Sequence, residues 1–529
     1  MRGVIHHILG PGRTVERKCR PDSGQAVPIN SQFEIKDKEN GLKLKKIGIG
    51  RTLTLLMIMS LVLAACGGDD APTTGGPNPV NTPAPTMDAG VGAEADPTAT
   101  TGAPATDATQ AATDATQAVT PGATGDGAVE ASPCSDDAQG AQLNFWNPFT
   151  GPDGKFMGQL VARFNQENGK GVNVKMQTLP EYYSKLENAG RSNTLPDVAI
   201  VHADQVATQA ATNILRPMPD EAIEFIGVGE DDFPAAVWAA GEYKDQRYSI
   251  PLDIHPMVMY YNKEMLQAAG IENPPTNREE YDQALAALAE QATGSKMAWS
   301  VTTGFPITQM FSQTLYQMGG TWFNDDGTEA AWNSDAGVQA LQYLKTAQEK
   351  YAKPNLPVDA GVAAFKQGNV GIEWNGIWQI SNLVTPHPFG AGAPVPQLGD
   401  TEATWAGSHQ FTLTKQRAVD PKKDAAAACF ISFISANSVE WAKGGQVPAR
   451  NAVRESEAFQ AVQPQAMIAP SAEFAFFPPN IAGINDAFAP LDQAVATYLQ
   501  KGGDPKQMLD KAAQQANQIL EANQRKYNR

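Results

Sequence analysis

Three observations predict an α/β fold built as two lobes. From residue 141 onward, strand-like and helix-like patterns alternate, the signature of a largely parallel sheet covered by helices. The stretch 141–529 is longer than a single hydrophobic core usually holds. The residues before it lack the side chains to pack at all, so the folded part is confined to the C-terminal three quarters.

The chain opens with an address segment. The apolar run "LTLLMIMSLVLAA" (Leu53–Ala65) is too short for a bilayer-spanning helix, which needs about 20 residues. Lys43, Lys45, Lys46 and Arg51 precede it, and small residues lead into Cys66, the layout of a secretory signal. "LAAC" at Leu63–Cys66 resembles the signal box of bacterial lipoproteins. That resemblance implies removal of residues 1–65 as a leader and a lipid on Cys66 as the new first residue. One acyl chain holds a bilayer only marginally, at ~0.8 kcal/mol per buried methylene, whereas two or more chains anchor stably. The expected location is extracytoplasmic, on the bacterial cell membrane.

A tether follows, spanning 66–140. From Gly67 to Gly140 there is no Lys, Arg, Leu, Ile or aromatic residue, and "ATDATQA" occurs twice in tandem at Ala105–Ala118. No position of that seven-residue period carries a side chain large enough for a coiled-coil seam. Burial cannot offset the ordering entropy here, so the segment is expected to be disordered, with a root-mean-square span of roughly 50 Å. It also holds much of the acidic excess behind the net charge of -17. No basic stripe follows, so nucleic acid is not an expected partner.

Order begins at "AQLNFWNPFTGPDG", a strand running into a Gly/Pro loop. "KFMGQLVARFNQEN" sets Phe156, Leu160, Val161 and Phe164 on one helical face, and "GVNVKMQ" alternates Val172, Val174 and Met176 like a strand. "LPDVAIV" reads as a short buried strand, and "RYSIPLDIHPMVMYYNKEMLQAAGI" as strand, crossing segment and helix. Two further helices follow, with Tyr281, Leu285 and Leu288 on the apolar face of one and Val338, Leu341 and Leu344 on that of the other. "GNVGIEWNGIWQI" is a strand breaking into a loop, with Trp374 sharing the parity of its core positions. "DPKQ" opens the last helix, Asp capping and Pro in the first turn. The cysteines have no metal-ligand spacing. A bridge between Cys134 and Cys429 is open, but a buried free thiol at Cys429 in "AAAACFISFI" is the expected state.

The ordered succession of "FWNPFTGPDGKFMGQLVARFNQEN", "LPDVAIV", "IPLDIHPMVMYYNKEMLQAAGIENPPTNREEYDQAL", "FKQGNVGIEWNGIWQI" and "WAGSHQFTLTKQ" resembles the extracellular solute-binding proteins of carbohydrate ABC importers, across nearly all of 141–529. The resemblance implies two α/β lobes joined by crossovers near Asp253 and Gly407, with the guest between them. One lobe would comprise 141–252 plus 408–455 and the other 253–407 plus 456–529. The implied partners are a carbohydrate and the permease subunits of an importer; a monomer without cofactor or metal is expected.

A sugar offers a C–H face and a rim of hydroxyls, so its site needs flat aromatics and in-plane polar groups. Such groups fall in loops after strands, where α/β sheets bind ligands. The first loop offers Trp146, Asn147, Thr150 and Asp153, with Trp146 equally able to anchor the strand in the core. Asp204, at the position where the resemblance places a ligand carboxylate, has His202 beside it as a structural neighbour. Asp253 and His255 sit at the first crossover; Ser408 and His409 follow the second. Trp378 in "NGIWQ" matches the family's stacking tryptophan. Phe305 and the "FAFFPP" cluster around Phe476 add ring surface or plain core. "FAFFPPNIAGIND" has no Arg or Lys to hold a phosphate, which disfavours a phosphorylated guest. The first loop also lacks the Asp-Lys pair of maltose binders.

These readings point to capture by hinge closure rather than to an enzyme. Two alternatives compete. A secreted glycosidase would use two carboxylates among Asp153, Asp204 and Asp253, although no G-x-S-x-G, H-E-x-x-H or Walker-type motif is present. A sugar-sensing or adhesion module would differ only in its partner.

Overall fold

The computed structural model describes residues 129–527. The leader, Cys66 and the tether as far as residue 128 lie outside these residues. Six strands form the first sheet, in the order Asn173–Thr178, Gln142–Asn147, Val198–His202, His409–Thr414 and Leu215–Arg216, with Ser249–Pro251 also paired to His409–Thr414. The first three are parallel, as alternation with helices requires. His409–Thr414 runs antiparallel to its neighbours, so the largely parallel expectation is corrected there.

Local sequence explains these elements. Leu143 and Phe145 alternate onto one face of the sheet, where Phe145 meets Phe430 at a centroid distance of 5.2 Å. The helix Gly154–Glu167 lays Met157, Leu160, Val161 and Phe164 on that core, each worth about 1.5–3 kcal/mol of burial. Phe156, expected on the same face, is only half-buried, because the strip centres on Met157. The helix Pro421–Ala436 is apolar almost all round and is buried through Ala426–Ser432. Asp420 caps it by accepting the Lys422 N–H at 3.0 Å, and Pro421 fills its first position.

Two expectations fail at its centre. Cys429 is not a free thiol but is bonded to Cys134, with Cα atoms 5.1 Å apart. The segment 129–140 is therefore not part of a disordered tether. Ala138 is fully buried, the Ser132 N–H donates to Ser432 Oγ, and Gly140 N–H donates to the Lys170 carbonyl.

The second sheet is organised on the strand Asp253–Asn262, whose residues are buried at every position but one. Val370–Gly376, Gly390–Pro394, Thr404–Gly407 and Val447–Pro448 all pair with it antiparallel. Met297–Ser300 joins Val370–Gly376 in parallel, and Ala475–Phe476 joins Thr404–Gly407. Trp299, Trp332 and Trp374 fill the core on one of its faces, with Tyr281, Leu285, Leu288, Leu341 and Leu344 supplied by the two predicted helices, while Val258, Tyr260 and Val370 join the cluster that includes the first lobe's core. The Asn277, Ser334 and Asp504 side chains cap helices, each accepting the backbone N–H three residues on, and Asp504 does so as its sequence predicts.

The antiparallel pairing has a topological cause. Asp253–Asn262 continues directly from Ser249–Pro251, and Thr404–Gly407 continues into His409–Thr414, so one segment leaves the first sheet where the other returns. Their ladder runs through both sheets, with Gln410 opposite Pro251 and Gly407 opposite His255. Val447–Pro448 makes a third crossing, against Ile254 and Asp253.

Candidate functional site

Beside these crossings lies a cavity of about 660 Å³, within the range of small-molecule sites. One wall comes from the C-terminal ends of parallel strands: Thr150 and Asp153 follow Gln142–Asn147, and Asp204 follows Val198–His202. The opposite wall is the second lobe, with Phe305, Trp322, Trp378 and Phe488. Among the described residues no Lys or Arg lines the cavity, whereas Asp153, Asp204 and Asp492 do.

Close backbone approach makes this geometry possible at two glycines. A Cβ on Gly376 would fall 2.0 Å from the Trp378 ring, so only glycine lets the indole lie back across the end of the strand. A Cβ on Gly407 would fall 2.2 Å from His255 Nε2. The indole is half-buried, 5.9 Å from the Phe305 ring and 5.7 Å from His255 by centroid. Phe305 is 43% exposed, so an apolar face remains open to a guest.

Asp253 is the hub of the crossings. Its Oδ1 accepts the His409 backbone N–H (2.9 Å) and faces His255 Nδ1 (3.1 Å); its Oδ2 accepts Trp441 Nε1–H and faces His409 Nδ1, both at 2.7 Å. Burial pushes this carboxyl up, but the charge and hydrogen bonds of His409 and His255 outweigh it and hold Asp253 well below the usual range. Burial, with the His409 charge, holds His255 below the usual imidazole range; the same burial, with the charges of His409 and His255, holds His202 well below it. Burial raises Asp153 and Asp204. Asp153 Oδ2 accepts from Gln446 Nε2 at 2.8 Å.

The two lobes also touch across the cavity mouth. Asn485 Nδ2 donates to the Asp204 carboxylate (2.9 Å) and carbonyl (3.2 Å). The Gly483 N–H donates to Thr208 Oγ1 at 2.9 Å, and Asn480 Nδ2 to the Ala239 carbonyl at 2.6 Å.

Of the sequence-derived candidates, Thr150, Asp153, Asp204, His255, Phe305, Trp378, Ser408 and His409 line this one cavity. Trp146 does not. It alternates onto the other face of the first sheet, against the cluster of Tyr182, Leu186 and Val201. Asn147 is fully buried and shapes the loop instead, its Oδ1 accepting from the Phe149 N–H and the Thr178 hydroxyl. Asp253 is fully buried behind the histidines. Phe476 stacks on Tyr316 at 3.7 Å, and its neighbour Phe477 reaches the cavity. His202, read as a structural neighbour, lines it as well. Gln446, Asn485 and Trp322 were missed; nothing local marks them, since each arrives from a distant segment.

Residues 159–465 match the model of a family described as bacterial extracellular solute-binding protein. The galactooligosaccharide-binding protein of Bacillus subtilis is 22% identical over 419 residues, which span 75% of this chain and 93% of that protein. The sn-glycerol-3-phosphate-binding periplasmic protein UgpB of Escherichia coli is 24% identical over 413 residues, spanning 72% of this chain and 92% of its own. Among solved structures, the GacH receptor of Streptomyces glaucescens, seen unliganded and with acarbose, shares the fold: TM-score 0.64, 23% identity, covering 72% of this chain and 98% of that one.

Proposed function

The chain belongs to the bacterial extracellular solute-binding proteins, and from that premise we propose that it captures a neutral sugar or oligosaccharide and delivers it to an ABC importer. One observation carries this reading: an open indole face at Trp378, beside polar side chains, in a cavity with carboxylates but no Lys or Arg. A sugar's C–H face would stack on the ring, and burying about 100 Å² of it contributes roughly 2.5 kcal/mol. Asp204, Thr150, Gln446 and Asn485 supply acceptors and donors for the hydroxyl rim. An anionic or phosphorylated guest would meet three carboxylates and no cation.

Closure follows from the latch. Asn485 and Gly483 belong to the second lobe and Asp204 and Thr208 to the first, so a guest that bridges the walls favours the state in which these bonds form. The guest leaves unchanged; no reaction is assigned to the carboxylates. The Cys134–Cys429 bond suits an oxidising, extracytoplasmic compartment. Cys66 is the proposed lipid site and membrane attachment, and loss of palmitate labelling in Cys66→Ser tests it.

A thermal-shift panel of neutral mono- and oligosaccharides tests the capture reading. One class should stabilise the protein, by ~2.7 kcal/mol at a hundredfold excess over Kd, and be recovered intact. Release of a cleaved product, or stabilisation by glycerol phosphates alone, would overturn it.

A further inference from the structure

We propose that His202, His255 and His409 form a transition-metal site of zinc type in the wall of the cleft. The site stands on the geometry of these side chains, whatever guest the cleft takes.

Three of the chain's six histidines gather here from three different strands. One ring nitrogen of each lies within 4.8 Å of the other two, and the His255 and His409 ring centroids are only 4.3 Å apart. A tetrahedral zinc at 2.0–2.1 Å from each nitrogen needs donors about 3.4 Å apart. Imidazole rotation of roughly an ångström closes that gap.

Proton placement favours a cation. The Asp253 carboxylate accepts from the His409 N–H and Trp441 Nε1–H, and one of its oxygens faces each of His255 Nδ1 and His409 Nδ1. A carboxylate accepts, so both imidazoles donate to it from Nδ1, which leaves Nε2 as the ring atom able to ligate. Carboxylate, imidazole and metal in that sequence is how metal-binding histidines are oriented. Nδ1 of His202 is held at 2.6 Å by the Tyr183 hydroxyl, which is able to accept its proton.

No hydrogen bond within the described residues reaches those Nε2 atoms, and the three side chains line the cavity. A sugar hydroxyl has one hydrogen and would satisfy one of three converging nitrogens; a metal ion satisfies all three. No Lys or Arg lines the cavity to repel a cation, and Asp153 and Asp204 attract one. Three imidazole ligands leave a fourth position open, and it faces the cavity, where water or a guest oxygen completes the shell.

The test titrates Zn²⁺ alone into chelator-stripped full chain by calorimetry and reads Co²⁺ by its visible ligand-field bands. One metal per chain is expected, with low-coordinate Co²⁺ bands. His255→Ala and His409→Ala should each weaken it by roughly 100-fold or more, Asp253→Asn by about 10–100-fold, and His387→Ala not at all. Absence of stoichiometric binding, or binding indifferent to the His255 and His409 changes, would overturn the proposal. Should a variant fail to fold, anomalous diffraction from crystals of the unchanged protein grown with Zn²⁺ decides. A peak between the three imidazoles supports the site, and a peak elsewhere or none refutes it. Sugar binding is read separately, so failure of one result leaves the other standing.

Discussion

Glu373 gives the most quantitative prediction. It sits in the strand Val370–Gly376, opposite Tyr260, with only 2% of its surface exposed. Its Oε1 accepts one bond from Asn375 Nδ2 at 3.2 Å, and no cation among the described residues is paired with it. Burial, aided by the Asp359 charge, pushes the carboxyl up to about 8 from an ordinary 4.5. Below pH 4.5 folded and unfolded chains are both protonated, and the native state carries no penalty. Between 4.5 and 8 the unfolded chain ionises while the folded one keeps its proton, so stability falls with rising pH at about 1.4 kcal/mol per unit. The ceiling is about 5 kcal/mol, reached above pH 8, a large share of a typical 5–15 kcal/mol. Glu373→Gln keeps the shape and a donor while removing the titration. Urea unfolding followed by tryptophan fluorescence should show the variant near wild type at pH 4.5 and more stable by up to that amount at pH 8.5. A difference between the two proteins that does not change with pH would refute the reasoning.

Other consequences are equally direct. Trp378→Ala should weaken capture of the best sugar by roughly 70-fold, the equivalent of about 2.5 kcal/mol of stacking, with little change in melting of the free protein; calorimetry checks it. Asn485→Ala removes two of the four bonds across the mouth, so affinity should fall by roughly 5–30-fold, for about 1–2 kcal/mol lost from the closed form, and small-angle scattering should show a more open average. Cys134→Ser frees a crosslink spanning 295 residues of sequence, for which loop entropy sets a ceiling of about 5 kcal/mol. The urea midpoint should drop, and reductant should reproduce the drop in the unchanged protein but not in the variant.

Local patterning made the elements legible. The faces of Gly154–Glu167 and Arg278–Gln291 follow from spacing alone, because a helix with one apolar strip can pack only one way. The loop residues after the parallel strands were legible for a similar reason: Asp153 and Asp204 have nowhere to go but the cleft edge. Trp146 shows what parity can decide, since a residue next to the core-facing Phe145 must point to the opposite face. Asp253 shows what it cannot. Its role depends on His409 and Trp441, which meet it only after both crossings are folded. The three histidines have no short spacing between them and so no motif. Cys134 lay in a composition that cannot pack on its own, and its bond to Cys429, with the Ser132 and Gly140 hydrogen bonds, makes the neighbouring residues part of the body.

That bond settles how force enters the molecule. A pull from upstream of Cys134 passes covalently into the helix Pro421–Ala436, which is packed in the first lobe, and bypasses the strand Gln142–Asn147 that follows in sequence. The load enters through the lobe that holds this helix, so the swing proposed for the other lobe about the crossing ladder would leave the Cys134–Cys429 bond unstretched.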